Sequence, residues 1–425
     1  MITMQLPGDK SIAHRALILA SLADGQSTIR NVPGSADVDS TRSALVALGA
    51  VISNPEDDVA LVTGPSAWTP ALNPIDCGNS GTTVRLLTGL LVGLGTPARL
   101  TGDRSLRNRP MDRVVYPLQS MGGRITYAED RDRLPIELEA RTTGSLRVLR
   151  YRGRVASAQV KSALLLAGLT AGIEVEVREP GVSRDHTERM LANLGAPIEF
   201  GPLDDGGARV LLVDPPTPVR LPGFELTIPG DVSSAAFLIA AGLLAGKSVH
   251  LDGVGLNETR TGFLKVLRRM GANVREQVLE TRLGEPVGTI DVVAGRLGSF
   301  EIEAEEVPRL VDEIPVLAVL AARAHGRSRI WGAGELRNKE SDRLAALAVN
   351  LGLLGVECEE RRDGLIIEGS ERSLSGTVRT GGDHRIAMAF GVLGSASGCE
   401  IEVDDKDCVK VSFPGFWTIL DEITS

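Results

Sequence analysis

Runs rich in Ala and Leu, with little polar face, alternate along the chain with charged amphipathic segments, and the alternation is periodic. Six apolar runs end in a glycine and lead into a short alternating strand pattern; the closing glycines are Gly25, Gly95, Gly172, Gly246, Gly326 and Gly398. Their intervals are 70, 77, 74, 80 and 72 residues, close to a sixth of the chain, about 71, as a repeated unit requires. Amphipathic helix patterns recur in step, closing at Leu48-Gly49-Ala50, Met121-Gly122-Gly123, Leu194-Gly195-Ala196, Met270-Gly271-Ala272 and Leu354-Gly355-Val356. Each unit therefore reads as an apolar helix, a strand, an amphipathic helix and further strands such as Val274–Val278, with glycine closing the helices in left-handed geometry. This is an α/β (α+β) chain that uses a βαβ-like module six times. A helix without a polar face must be buried, and three fill the centre of one domain behind sheets, so two domains of three units are expected. Leu6-Pro7-Gly8-Asp9-Lys10-Ser11 matches Ile228-Pro229-Gly230-Asp231-Val232-Ser233. The crossings placed there give a first domain of residues 10–228 and a second of 1–9 plus 229–425.

Composition narrows the function. Aromatic residues are 3% of the 425, so the core is aliphatic and base-stacking platforms are disfavoured. Net charge is −9, which argues against nucleic acid and anionic membrane as partners. The longest uncharged apolar stretch, around Ala235 to Gly246, falls short of the roughly 18–20 residues that span a bilayer. Met1-Ile2-Thr3-Met4 leads into a charged motif rather than a signal peptide, and a cytoplasmic protein is expected. Cys77, Cys358, Cys399 and Cys408 form no Cys-x-x-Cys pair and read as free thiols. No two of the five histidines have metal-ligand spacing, so no metal is expected. His14 and His250 read as structural, whereas His384, between Asp383 and Arg385, is a candidate functional group.

The candidate chemistry stands at the starts of the apolar helices: Gly8-Asp9-Lys10-Ser11, Gly78-Asn79-Ser80-Gly81-Thr82-Thr83, Ser157-Ala158-Gln159, Gly230-Asp231-Val232-Ser233-Ser234, Asp312-Glu313 and Gly382-Asp383-His384-Arg385. Ser, Thr, Asp and Asn there are ordinary helix caps. The neighbouring cations Lys10, Arg15, Arg85, Lys161 and Arg385 are not, because a positive charge at a helix N-terminus opposes the helix dipole unless an anion binds. The pattern points to a small polyanion. Two further cationic segments follow: the Arg-rich loop Thr101–Pro110, and Asn338-Lys339-Glu340-Ser341-Asp342-Arg343, which is read as opening an amphipathic helix and places a carboxyl among cations. Gly8-Asp9-Lys10-Ser11 lacks the earlier glycine of a nucleotide-binding P-loop.

Taken in order, Leu6–Arg15 (LPGDKSIAHR), Gly78–Arg85 (GNSGTTVR), Arg107–Pro110 (RNRP), Ser157–Gln159 (SAQ), Asn338–Arg343 (NKESDR) and Gly382–Arg385 (GDHR) resemble the 5-enolpyruvylshikimate-3-phosphate synthases across the whole chain. The resemblance implies the two-domain enolpyruvyl transferase fold of six βαβαββ units, three per domain around buried helices, with the active site in the cleft between domains that close on their substrates. It implies transfer of the enolpyruvyl group of phosphoenolpyruvate to the 5-hydroxyl of shikimate 3-phosphate, with release of phosphate. The enzyme would serve aromatic amino-acid biosynthesis without cofactor or metal, as a monomer and a glyphosate target. By motif, Lys10, Ser11, Arg15, Ser157, Ala158, Gln159, Ser183, Asp312 and Lys339 would hold shikimate 3-phosphate. Lys10, Gly81, Arg109, Gln159, Arg343, Arg385 and Lys410 would hold phosphoenolpyruvate. Asp312 would be the base, Glu340 or a lysine the proton donor, and Lys10 a further catalytic group. Lys410 stands one residue earlier than the family's lysine, and Glu335 replaces its asparagine, whose contact is not carried over. A related alternative, a UDP-N-acetylglucosamine enolpyruvyl transferase, would place a cysteine near the Arg-rich loop, and residues 101–115 have none. A non-catalytic anion-binding scaffold would need neither Asp312 nor Glu340.

Overall fold

The computed structural model describes residues 2–4, 6–141, 144–219 and 221–425. Its helices, in chain order, are α1 (Lys10–Ser21), α2 (Ala36–Ala47), α3 (Gly81–Leu94), α4 (Arg104–Arg107), α5 (Asp112–Met121), α6 (Ala158–Ala171), α7 (His186–Asn193), α8 (Val232–Leu244), α9 (Gly262–Arg269), α10 (Ile314–Arg323), α11 (Arg343–Leu353), α12 (His384–Leu393) and α13 (Phe416–Thr424). The six apolar runs are α1, α3, α6, α8, α10 and α12. Four of them start on a side-chain cap: Asp9, Ser80, Asp231 and Asp383 each accept a first-turn backbone N–H. All six closing glycines have positive φ, from 69° at Gly172 to 97° at Gly326. Only Gly95 and Gly172 are the caps themselves; the other four lie in the turns just beyond.

Five four-stranded sheets share one plan among the described residues: a parallel pair around the apolar helix, extended by an antiparallel hairpin. In the sheet beside α6, Leu149–Arg152 runs parallel to Val175–Glu179, which pairs antiparallel with Ala208–Leu212 and through it with Ile198–Pro202. The sixth unit shows the parallel pair alone, Ser375–Val378 beside Glu400–Val403. Two units exchange their first strands. Glu225–Thr227 completes the sheet that follows α1, with Leu226 opposite Ile29, while Ile2–Met4 completes the sheet that follows α8, with Met4 opposite Leu251.

The chain divides into two compact units. The first is Gly8–Ile228 with Arg282–Glu285; the second is the segment ending at Pro7, Pro229–Thr281 and Pro286–Ser425. Gly8 and Asp9, expected with the second domain, go with the first unit because Asp9 caps α1 and Gly8 lies so close to the Asn31 carbonyl that a Cβ would come within 1.9 Å of it. Arg282–Glu285, also expected elsewhere, joins the first unit, where Glu285 Oε1 and His186 Nδ1 share a hydrogen bond of 2.8 Å.

In the first unit α3 and α6 pack backbone to backbone. A Cβ on Gly89 would sit 2.0 Å from the Ala163 carbonyl oxygen, and one on Gly93 2.1 Å from Thr170 Oγ1. In the second unit α8, α10 and α12 share an aliphatic core, against which Phe416 of α13 sets its ring edge-on to Phe237, centroids 6.3 Å apart. Each packing brings together the starts of its apolar helices, and the candidate chemistry with them.

Candidate active site

In the first unit, α3 and α6 meet at their first turns. Gln159 Nε2 donates to Thr82 Oγ1 (3.0 Å), and Arg85 Nη1 donates to Gln159 Oε1 (2.9 Å) and to the Gly81 carbonyl (3.2 Å). Arg109, beyond α4, donates to Asn79 Oδ1 at 2.5 Å. Gly81 is the first residue of α3 and does not have positive φ, so turn geometry is not why glycine stands here. A Cβ on it would point 2.5 Å from Arg85 Nη1 and 3.3 Å from Arg109 Nη1. Gly81, Arg85, Arg109 and Gln159 thus form one cationic cradle at the N-terminus of α3, where the helix dipole favours negative charge.

Beside it, Lys10 Nζ pairs with Asp37 Oδ2 at 2.6 Å. Arg15 donates to Thr187 Oγ1 (2.7 Å), Ser162 Oγ (2.8 Å) and the Ser11 carbonyl (2.9 Å). Burial lowers its pKa to about 10, which leaves it cationic at neutral pH. Ser157 is the N-cap of α6, yet its hydroxyl makes no cap hydrogen bond, and Ala158 and Gln159 follow in the first turn. Ser183 reaches the same region, its hydroxyl donating to Glu179 Oε2 (2.7 Å).

The sequence pattern grouped Lys161 with the anion-binding cations, and the structure corrects this. Its ammonium is buried between Glu179 (2.9 Å) and Glu188 (2.8 Å), so its anions are internal. Burial works against that charge, but the two carboxylates outweigh it and raise the pKa. Burial also empties His14 of charge. Its Nδ1 lies 2.7 Å from Thr41 Oγ1, and its pKa falls to about 3, in keeping with a structural role. His250 pairs with Asp291 at 2.7 Å.

The second unit gathers the remaining candidates around Asp312, just before α10. Arg385 Nη1 donates to the Asp312 carbonyl (2.7 Å), while Arg343 Nη1, Lys339 Nζ and Arg385 Nε stand 3.8, 3.9 and 3.9 Å from its Oδ1. Glu340 Oε2 lies 2.5 Å from Arg343 Nη2. Arg343 is in turn held by Asp383, Nε to Oδ2 at 2.8 Å and Nη2 to Oδ1 at 3.1 Å. Burial alone would raise the Asp383 pKa; the Arg343 guanidinium outweighs it and holds the carboxyl below the usual range. Asp383 also caps α12 and accepts from Ser341 Oγ (2.9 Å). His384, buried in the first turn of α12, is a neighbour of this cluster in sequence.

Asn338–Arg343 was expected to open a helix. Its first residue instead ends a 3₁₀ turn, Gly334–Asn338, and α11 begins only at Arg343, capped by Asp342. That break frees Lys339 and Glu340 from a helical face and turns both toward Asp312 and Arg343. Lys339 Nζ also lies 3.8 Å from Glu335. Lys410 is not brought to this group; its exposed ammonium pairs with Asp407 at 2.7 Å. Asp37, Glu179 and Glu188, which anchor Lys10 and Lys161, escaped the sequence reading, whereas Asp383 was read there as part of the Gly382–Arg385 helix start without its partner Arg343. Only the cap position of Asp383 left a local signal.

Both units thus set carboxylates among cations at the starts of buried helices. The enolpyruvyl transferase NikO from Streptomyces tendae has the same fold, with a TM-score of 0.75 at 19% identity over 100% of this chain and 94% of that one. An EPSP synthase from Acinetobacter baumannii is closer, with a TM-score of 0.82 and 33% identity over 99% and 95% of the two chains. Proteins named 3-phosphoshikimate 1-carboxyvinyltransferase are similar over nearly full length. That of Salinibacter ruber is 45% identical over 99% of this chain and 96% of its own, and that of Anaeromyxobacter sp. strain K 46% identical over 99% and 93%. The sequence model of EPSP synthase (3-phosphoshikimate 1-carboxyvinyltransferase) matches residues 2–420, and the chain belongs to that family of transferases.

Proposed function

We propose that the protein transfers the enolpyruvyl group of phosphoenolpyruvate to the 5-hydroxyl of shikimate 3-phosphate. The observation that carries this reading is the cluster at Asp312: a carboxylate faced by Lys339, Arg343 and Arg385, with a second carboxyl, Glu340, on the same arginine. Addition requires a base for the hydroxyl and an acid for the methylene carbon. Asp312 takes the hydroxyl proton as the oxygen bonds to C2 of phosphoenolpyruvate, and Glu340 protonates C3, giving a tetrahedral ketal. Glu340, now a carboxylate, then takes a proton back from C3 as phosphate leaves C2, and the enol ether remains. Arg343 and Arg385 neutralise the carboxylate and the departing phosphate. From the first unit, the Gly81–Arg85–Arg109–Gln159 cradle serves phosphoenolpyruvate. Ser11, Arg15, Ser157, Ala158 and Ser183 serve shikimate 3-phosphate, with Lys10 serving both. The scheme requires both sets to act on one pair of substrates, so domain closure is part of the proposal.

No helix among the described residues is long and apolar enough to cross a membrane. The four cysteines are free thiols, which supports action in the reducing cytoplasm.

The test is phosphate release from phosphoenolpyruvate, which should require shikimate 3-phosphate. Asp312→Asn and Glu340→Gln should each lower kcat about 10²–10⁴-fold with KM values nearly unchanged. Release that ignores shikimate 3-phosphate would sink the reading, and near-normal turnover of either variant would remove that residue from the mechanism.

A further inference from the structure

Three buried charged side chains of the first unit have no part in this scheme. Lys161, in the first turn of α6, lies between Glu179 and Glu188, and none of the three is more than 5% exposed at the side chain. Glu179 ends the strand Val175–Glu179 and does more than face Lys161. Its Oε1 accepts the Ser157 N–H at 2.5 Å, and its Oε2 accepts the Ser183 hydroxyl at 2.7 Å. One carboxylate therefore fixes the backbone of the residue that opens α6 and the side chain of a residue in the loop before α7.

Resting on the reading that Ser157 and Ser183 hold shikimate 3-phosphate, we infer that Glu179, backed by Lys161, is the positioning residue for the phosphate end of that substrate. A carboxylate beside a phosphate site repels the ligand unless its charge is cancelled, and Lys161 stands 2.9 Å away to cancel it. The Ser183 hydroxyl carries one proton. While the hydroxyl donates to Glu179, it shows lone pairs to the site; on ligand binding it rotates about the Cβ–Oγ bond and donates to a phosphate oxygen instead. Glu179 Oε2 then keeps Lys161 as its donor, so the turn leaves no buried carboxylate oxygen unsatisfied. The Ser157 N–H stays on Oε1 throughout and holds the start of α6, whose first amides point at the anion.

Glu179→Gln tests this. The amide keeps the size, and Lys161 keeps Glu188 as counter-charge, but only one of the two end atoms still accepts, so both serines cannot be held. The dissociation constant for shikimate 3-phosphate, read by calorimetry, should rise about tenfold to a hundredfold, as for loss of an orienting partner behind a ligand contact. KM for phosphoenolpyruvate should stay within about twofold, and affinity for shikimate, which lacks the phosphate, within about threefold. Equal weakening of shikimate and shikimate 3-phosphate, a parallel rise for phosphoenolpyruvate, or a lower kcat at unchanged affinity would overturn the inference. Should Glu179→Gln not fold, Glu179→Asp keeps the charge beside Lys161 and withdraws it from the serines. The same selective loss supports the inference, and unchanged affinity overturns it. A wild-type protein that releases no phosphate with both substrates present would instead overturn the proposed function itself.

Discussion

Gly81 shows how one absent methyl group shapes a site. Its Cβ position is filled on one side by the Arg85 guanidinium, itself tied to Gln159 Oε1 and the Pro110 carbonyl. An added methyl must displace that guanidinium or take space from the anion. Helical φ suits alanine, which is favoured over glycine by up to about 1 kcal/mol, so stability should hold or rise while binding suffers. Gly81→Ala should raise KM for phosphoenolpyruvate about tenfold, close to 1.4 kcal/mol, with shikimate 3-phosphate affinity nearly unchanged. Inhibition by glyphosate, the longer competitor, should weaken most. Steady-state kinetics with a thermal melt decide it: equal weakening of both substrates, or an unfolded variant, would defeat the steric argument.

At the scale of elements, the cradle depends on how near α3 comes to α6. That approach is made through Gly89 and Gly93, where a side chain would enter the backbone of α6 itself. Backbone cannot swing aside as a long side chain can, so Gly89→Ala must part the helices. It should cost about 1–3 kcal/mol as overpacking, seen as a lower Tm, and should raise KM for phosphoenolpyruvate as Gln159 draws away from Arg85. Gly352 in α11 has open space at its Cβ position; Gly352→Ala should leave both Tm and KM unchanged or slightly improved, which controls for helix propensity. A Gly89→Ala protein with wild-type melting and kinetics would show that the contact is slack. This pair also marks a limit of periodicity. The apolar pattern placed both helices in a core, but which glycines meet which carbonyls depends on crossing geometry that no single helix encodes.

For the whole molecule, buried ionisable groups set the response to acid. His14 has a folded pKa of about 3 against an ordinary 6.5, so between those values the unfolded chain binds a proton that the folded chain refuses. Its contribution to stability is complete above pH 6.5 and is lost as pH falls toward 3, at about 1.4 kcal/mol per pH unit. His14→Gln should flatten the acid limb of denaturant-measured stability across that window; an unchanged slope would show that His14 is solvated before unfolding. The repeat, the aliphatic core and the capped helix starts were legible along the chain, because periodicity and capping act over a few neighbouring residues, and the family was legible in its ordered motifs. Tertiary structure alone decided the distant partners of the cations. Lys10 met Asp37 27 positions away, Arg343 met Asp383 at 40 and Arg385 reached Asp312 at 73, while Lys161 turned inward to two glutamates and Lys410 outward to Asp407. Local sequence sets where a charge sits on its helix, but Coulomb attraction and desolvation act through space, so whether that charge serves a ligand or the core is settled only when distant segments pack.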